Sequence, residues 1–211
     1  MNQRHHRRPA GSFRASQRIA EAILDYVGHI PTTGEGHRRE APMHAQTIAR
    51  ATARQAAVTA GSLTLPPGPL GWLTVLPELR ALWRLQTQMV ADIAGCFGKT
   101  DDLGREEMLY CLFRHTDPRA VRDLAARVGR RIVVQRAARP KIESVALKIA
   151  IHLSQRLVSR GVSRWIPVFG ALGAGAYAYY DTWQVARTAC DFFASERVVE
   201  GEVVDAGVAP D

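Results

Sequence analysis

The chain has 211 residues, 46% of them hydrophobic, with a formal net charge of +8 and a pI near 10. That length fits one large domain with a single core, and the apolar share is that of an ordinary globular protein. The charge directs attention to anionic partners: nucleic acid, acidic lipid headgroups or an acidic protein.

The charge is unevenly placed. Residues 119–164 carry twelve Arg or Lys against Asp123 and Glu143, whereas residues 165–211 carry two cations and seven acids. Cys96, Cys111 and Cys190 are an odd number at wide spacings, each in a predicted apolar helix. They read as small hydrophobes in a reducing compartment rather than a disulfide framework. No apolar run follows the basic start M-N-Q-R-H-H-R-R-P, so no secretory leader is expected.

Residues 1–12 are expected to be a disordered cationic arm. From Phe13 to His29, Ile19, Ala22, Ile23, Tyr26 and Val27 mark one apolar helix face, with Ser12 or Ser16 as the cap. A Gly-, Pro- and charge-rich surface loop follows. Met43 to Ala60 is an Ala-rich helix, and Gly61 is placed as its terminator. Residues 62–77, S-L-T-L-P-P-G-P-L-G-W-L-T-V-L-P, read as an uncharged apolar loop, packed under other elements or facing a membrane or partner.

Glu78 to Phe97 predicts a long helix ended by Gly98, with a polar line Arg80, Arg84, Gln88, Asp92 at four-residue spacing. Asp102 is expected to start a shorter helix whose first turns carry Glu106 and Glu107, where the helix dipole favours anions. Asp117-Pro118 is an N-cap followed by Pro at the first helical position. In the helix it opens, Arg119, Arg122, Asp123, Arg127 and Arg130 face outward.

Pro140 interrupts that helix. Lys141 to Gly161 is then strongly amphipathic, with Lys148, His152, Gln155, Arg156, Ser159 and Arg160 forming one polar stripe. The run from Trp165 to Asp181 holds sixteen uncharged residues before its aspartate, too few and too rich in Pro and Gly for a membrane span. Leu172, Ala176, Tyr179, Trp183, Ala186, Cys190 and Phe193 recur in heptads, predicting a helix buried along that row. A second row, Gly170, Ala174 and Ala178 with Gly173 nearby, would admit a neighbouring backbone closely. The expected fold is all-α: one domain over residues 13–195, of about seven or eight helices around this buried Gly/Ala-rich C-terminal helix. Residues 196–211 are expected to form an acidic, flexible tail.

Two stretches resemble the EcsC protein family. The first is G-P-L-G-W-L-T-V-L-P-E-L-R-A-L-W-R-L-Q-T-Q-M-V-A-D-I-A-G-C-F-G, ending in an acidic-Ile-Ala-x-x-aromatic-Gly pattern. The second is I-P-V-F-G-A-L-G-A-G-A-Y-A-Y-Y-D-T-W-Q-V-A-R-T-A-C-D-F-F. With the intervening helices the resemblance spans about residues 45–195. Where the family's small-residue helix carries Asn this chain has Tyr177, which weakens a polar role there. The resemblance implies a membrane-associated accessory role and brings no chemistry with it.

The residues themselves supply no reaction either. There is no G-x-S-x-G, and the cysteines lack local His partners. His5 and His6 lie in the expected disordered arm, and His115 with Asp117 is only half a ligand set. His29, His37, His44 and His152 have no His or Glu four residues on, so neither metal nor cofactor is expected. Gly170, Gly173 and Gly175 imitate a nucleotide loop but follow no strand, and read as packing glycines. Asp92, which continues a polar line, is expected to be solvated or paired with a neighbouring Arg, and Asp181 to pair with Arg187 or an arginine of a neighbouring helix.

The candidate anion contact is Lys148, His152, Arg156, Arg160 and Arg164, with Arg119–Arg131 as the other location. No aromatic residue lies within 119–164, which favours an anionic membrane surface or an acidic membrane complex over nucleic acid. The expectation is a non-enzymatic cytoplasmic protein, peripheral to the membrane. A nucleic-acid-binding module, and an enzyme with an unrecognised site, stay open as the alternatives.

Overall fold

The computed structural model describes the backbone of residues 10–63, 71–121, 139–160 and 167–195. Side chains are described for 16–62, 77, 79–121, 142–155 and 172–195. The elements are α1 (Ala10–Gly28), α2 (Ala41–Leu63), α3 (Gly71–Cys96), a 3-10 turn (Thr100–Asp102), α4 (Arg105–Phe113), α5 (Arg139–Arg160) and α6 (Pro167–Ala194). A further helical turn opens at 118. The all-α expectation is met, with no strand among the described residues. None of the described helices is long and apolar enough to cross a membrane.

The core lies where α1, α3, α4, α5 and α6 converge. Ile23, Val27, Met89, Val90, Ile93, Met108, Leu109, Ile149, Val185 and Phe193 are fully buried there, each stabilising by about 1.5–3 kcal/mol. Trp83 joins three helices, meeting Tyr26 and Phe113 edge-on at centroid distances of 6.3 and 5.8 Å. Helix α4 is short but buried from Met108 to Phe113. Helix α5 packs on α1, and the Ser16 and Ser154 hydroxyls hydrogen-bond across that seam at 2.9 Å. Ser16 is therefore an interhelical contact, not a cap.

Several boundaries move. Helix α1 begins at Ala10, while residues 1–9 and 196–211 lie outside the described residues. Helix α2 runs through Gly61, and α3 already starts at Gly71 with Pro77 inside it. Residues 62–63 and 71–77 of the expected 62–77 loop are thus helix, and 64–70 lie outside the described residues. Asp102 closes a 3-10 turn rather than starting α4. Gly104 caps α4, and the Glu107 carboxylate accepts from its N–H at 3.0 Å. Pro140 sits in the first turn of α5, where a missing N–H costs nothing.

Gly98 does end α3. It takes φ +65°, and the bonds Lys99 N–H to Ala94 O and Gly98 N–H to Gly95 O complete the capping pattern that satisfies the last carbonyls. Lys99 then reaches across to the end of α6. Its ammonium donates to Phe193 O at 2.7 Å and Ser195 O at 2.9 Å, placing a cation at the C-terminus of α6.

The largest correction concerns α6. Its most extensive partner is the Ala-rich α2. Ala45, Ala49, Ala53 and Ala56 are buried on α2, and Gly175, Ala178, Thr182, Val185, Ala186 and Ala189 on α6. A Cβ on Gly175 would stand 2.9 Å from Ala57 O, so this glycine is the closest approach, whereas Gly173 faces open space. The expected heptad row is exposed at its start: Leu172 is 67% and Tyr179 39% accessible. It turns inward only from Trp183 to Phe193. A partner helix of alanines approaches along the row with the least side chain, which leaves Leu172, Ala176 and Tyr179 outside.

Candidate functional site

The turn after α4 and the exposed edge of α5 meet at an open cleft of about 600 Å3. It is lined by Thr116, Asp117, Pro118, Arg119, Ala120, Lys148 and His152. The turn is local in origin. Thr116 N–H and Asp117 N–H both donate to Phe113 O, and the Asp117 carboxylate accepts from Ala120 N–H at 3.0 Å. That cap was legible in Asp117-Pro118, and it puts Arg119 in the first turn of the next helix.

Lys148 and His152 come from α5, one turn apart. Their helix is held by its opposite face, where Ile142, Val145, Ala146, Ile149 and Ala150 are buried. Lys148 and Arg119 are exposed; His152 is half-buried, and its Nε2 is enclosed without a protein hydrogen-bond partner. The cleft so gathers two cationic side chains, one imidazole and one carboxylate already engaged as a helix cap. Such a set can take an anionic group the size of a phosphate or carboxylate.

Of the expected anion contacts, Lys148 and His152 lie in the cleft. The side chains of Arg156 and Arg160, and all of Arg164, lie outside the described residues. Arg119 joins the set from the alternative location, Arg119–Arg131, of which residues 122–131 lie outside the described residues.

Directly behind the cleft is a polar network inside the bundle. The Asp181 carboxylate accepts from His115 Nε2 at 2.8 Å and from the Gln86 amide at 2.8 Å, and that amide also reaches the Thr182 hydroxyl at 3.2 Å. Asp181 is therefore paired with His115 and Gln86, not with an arginine, and His115 answers to Asp181 rather than Asp117. Asp92 likewise accepts from the Thr33 hydroxyl at 2.7 Å and the Gln88 amide at 2.9 Å instead of from an arginine.

His115, Asp181 and the buried Thr116 hydroxyl superficially suggest an activated nucleophile. Thr116 Oγ1 lies 3.1 Å from His115 Nε2, the same nitrogen that meets Asp181. A relay needs the acid on one ring nitrogen and the nucleophile on the other. Here His115 Nδ1 is enclosed without a protein hydrogen-bond partner, so the series is not formed. The network reads as a polar clasp joining α3, α4 and α6.

The cysteines are all free thiols, Cys96 and Cys111 buried and Cys190 half-buried. Burial is the main cause pushing each thiol upward, to about 11 for Cys190, with Asp191 and Cys96 adding to it there. None has the lowered value that marks a nucleophilic thiolate. The chain matches no family model, and no curated protein or solved structure matches it.

Proposed function

We propose that this chain is a non-enzymatic intracellular helical protein of the EcsC type that docks peripherally on an anionic membrane surface or membrane complex. The observation carrying the reading is the meeting of Arg119, Lys148 and His152 around one open cleft. Each cation near an acidic bilayer surface is worth about 1 kcal/mol. A few of them give reversible docking without a spanning helix.

Two further features support it. Arg119, Lys148 and His152 of the cleft belong to segment 119–164, where cations outnumber acids twelve to two. Val58, Leu172, Tyr179 and Tyr180 are exposed on α2 and α6, and Tyr is a residue of bilayer interfaces. The EcsC-like motifs supply the membrane setting.

The test is co-sedimentation with vesicles of phosphatidylserine and phosphatidylcholine, compared with phosphatidylcholine alone. The double variant Arg119→Gln/Lys148→Gln should fold normally, since exposed charges contribute little stability. Its partitioning onto acidic vesicles should fall about 10- to 30-fold, a loss that shrinks with added salt. Equal partitioning by variant and parent would remove the cleft from the docking surface. Absence of vesicle binding with salt-sensitive retention on DNA would instead support the nucleic-acid reading.

A further inference from the structure

A second group of chemically capable side chains lies away from the cleft, where the connection between α1 and α2 is seated on α3. Residues 80, 84, 88 and 92 run along α3 at four-residue spacing, and Cys96 is the next position in that line. The α1–α2 connection lies along the end of it. The Gln88 amide donates to Thr32 O at 3.1 Å, the Thr33 hydroxyl to Asp92 at 2.7 Å, and Arg38 N–H to Cys96 O at 3.0 Å. A Cβ on Gly95 would stand 2.6 Å from Glu35 O, so only glycine allows the connection to lie this close.

That seating brings three residues distant in sequence to one point. Glu35 comes from the connection, His44 from the first turn of α2, and Cys96 from the last turn of α3. His44 Nε2 and Glu35 Oε2 are 3.2 Å apart, and one donor atom from each of the three residues lies within 4.8 Å of the others. Cys96 is fully buried, while the two others are half-buried and open the group to solvent on one side. We propose that Glu35, His44 and Cys96 form a binding site for a divalent transition-metal cation of the zinc class.

The donor set selects the ion. Thiolate, imidazole and carboxylate together suit zinc, whereas calcium and magnesium require oxygen ligands. Tetrahedral zinc bonds of about 2.0–2.3 Å place nitrogen and oxygen donors about 3.4 Å apart and sulfur about 3.6 Å from either. The His44–Glu35 spacing already matches. The sulfur has to close by at most about 1.2 Å, within reach of a rotation at the Cys96 or Glu35 side chain. Arg38 also donates to Glu35 Oε2, at 3.1 Å, from a half-exposed side chain. A carboxylate oxygen has two lone pairs, so Oε2 can accept from Arg38 and still bind the metal.

Binding replaces the thiol proton: the Cys96 S–H bond breaks, the sulfur lone pair bonds the metal, and one proton leaves to solvent. Three protein ligands leave a fourth position for water. The ion would also clip the α1–α2 connection to the end of α3, so it should raise the melting temperature of the whole chain.

The experiment uses the full chain stripped with a chelator, then titrated with Zn2+ and separately with Co2+ as a coloured stand-in. The expected result is a single tight equivalent, one proton released, a higher melting temperature, and a thiolate-to-cobalt charge-transfer band in the near ultraviolet. Cys96→Ser should abolish that band, while Cys111→Ser and Cys190→Ser keep it. His44→Gln and Glu35→Gln, at half-exposed positions that tolerate substitution, should each weaken Zn2+ binding at least about tenfold. Replacing His5 and His6 should change nothing. A missing charge-transfer band, affinity untouched by His44→Gln, or binding lost with His5 and His6 would each overturn the site.

Discussion

Two glycines on α6, two residues apart, should respond to the same substitution with opposite signs. On Gly175 a new Cβ would stand 2.9 Å from Ala57 O, 3.7 Å from Ala57 C and 3.9 Å from Ala57 Cα. The best separation for such atoms is about 3.5 Å, and a carbonyl inside a helix cannot swing aside. Gly175→Ala must therefore part α2 from α6 along their whole alanine seam, and overpacking of this kind costs about 1–3 kcal/mol. Both Gly175→Ala and Gly173→Ala also gain about 1 kcal/mol of helix propensity. Gly173→Ala meets nothing within 4 Å, so it keeps that gain whole. The propensity part cancels between the variants, and the difference of about 1–3 kcal/mol is the interhelical contact itself. For a chain of this size that separates their melting temperatures by roughly 2–12 °C. Thermal melts followed by circular dichroism, checked by urea midpoints, read it directly. Equal melting temperatures, or a Gly175→Ala variant as stable as Gly173→Ala, would refute the close α2–α6 approach.

Asp181→Ala strips acceptors from His115 and from the fully buried Gln86 amide, and should cost about 1–3 kcal/mol in urea unfolding. An unshifted midpoint would mean that the network is not a clasp. The thiols predict alkaline sensitivity. Their folded values are raised by burial, so above about pH 8.5 the unfolded chain sheds protons that the folded chain keeps. Stability is fully present below that pH and is lost as pH rises toward the folded value of about 11 for Cys190. Urea midpoints should thus fall less steeply with pH in Cys190→Ser than in the parent; parallel slopes would contradict the assignment. At neutral pH a thiol reagent should modify the folded chain slowly and all three cysteines once it is denatured.

What the sequence could announce was whatever is decided within a turn or two of helix. The Asp117-Pro118 cap, the Gly98 terminator and the apolar face Ile19, Ala22, Ile23, Val27 each depend on neighbours at short spacing, and each is found. The exposed face of α5 at Lys148 is legible for the same reason. The heptad row on α6 misleads because periodicity reports that a face repeats without naming its partner. Leu172 and Tyr179 continue the row of Ala186 and Phe193, but α2 presents alanines, and the seam forms one residue round, on Gly175 and Ala178. Gly61 and Asp102 carried good local signals that the packed helices overrode.

The polar positions show the same limit more sharply. Gln88 and Asp92 look like a solvated edge because their spacing is that of one helix face, and nothing local reveals that residues 31–40 return to cover it. Once Gly95 lets that connection descend, Thr32, Thr33 and Arg38 take the edge as their hydrogen-bonding surface. The buried end of the same line, Cys96, then meets Glu35 and His44. Four residues on from His44 stands Ile48 rather than a ligand, and the partners that the fold brings to it stand nine residues before it and 52 after it. Asp181 and His115 are 66 residues apart and equally silent. In a helical bundle the apolar pattern can be read from each helix alone. Convergent polar groups are a property of which helices and turns meet: among the described residues one such meeting gathers Arg119, Lys148 and His152, and another Glu35, His44 and Cys96.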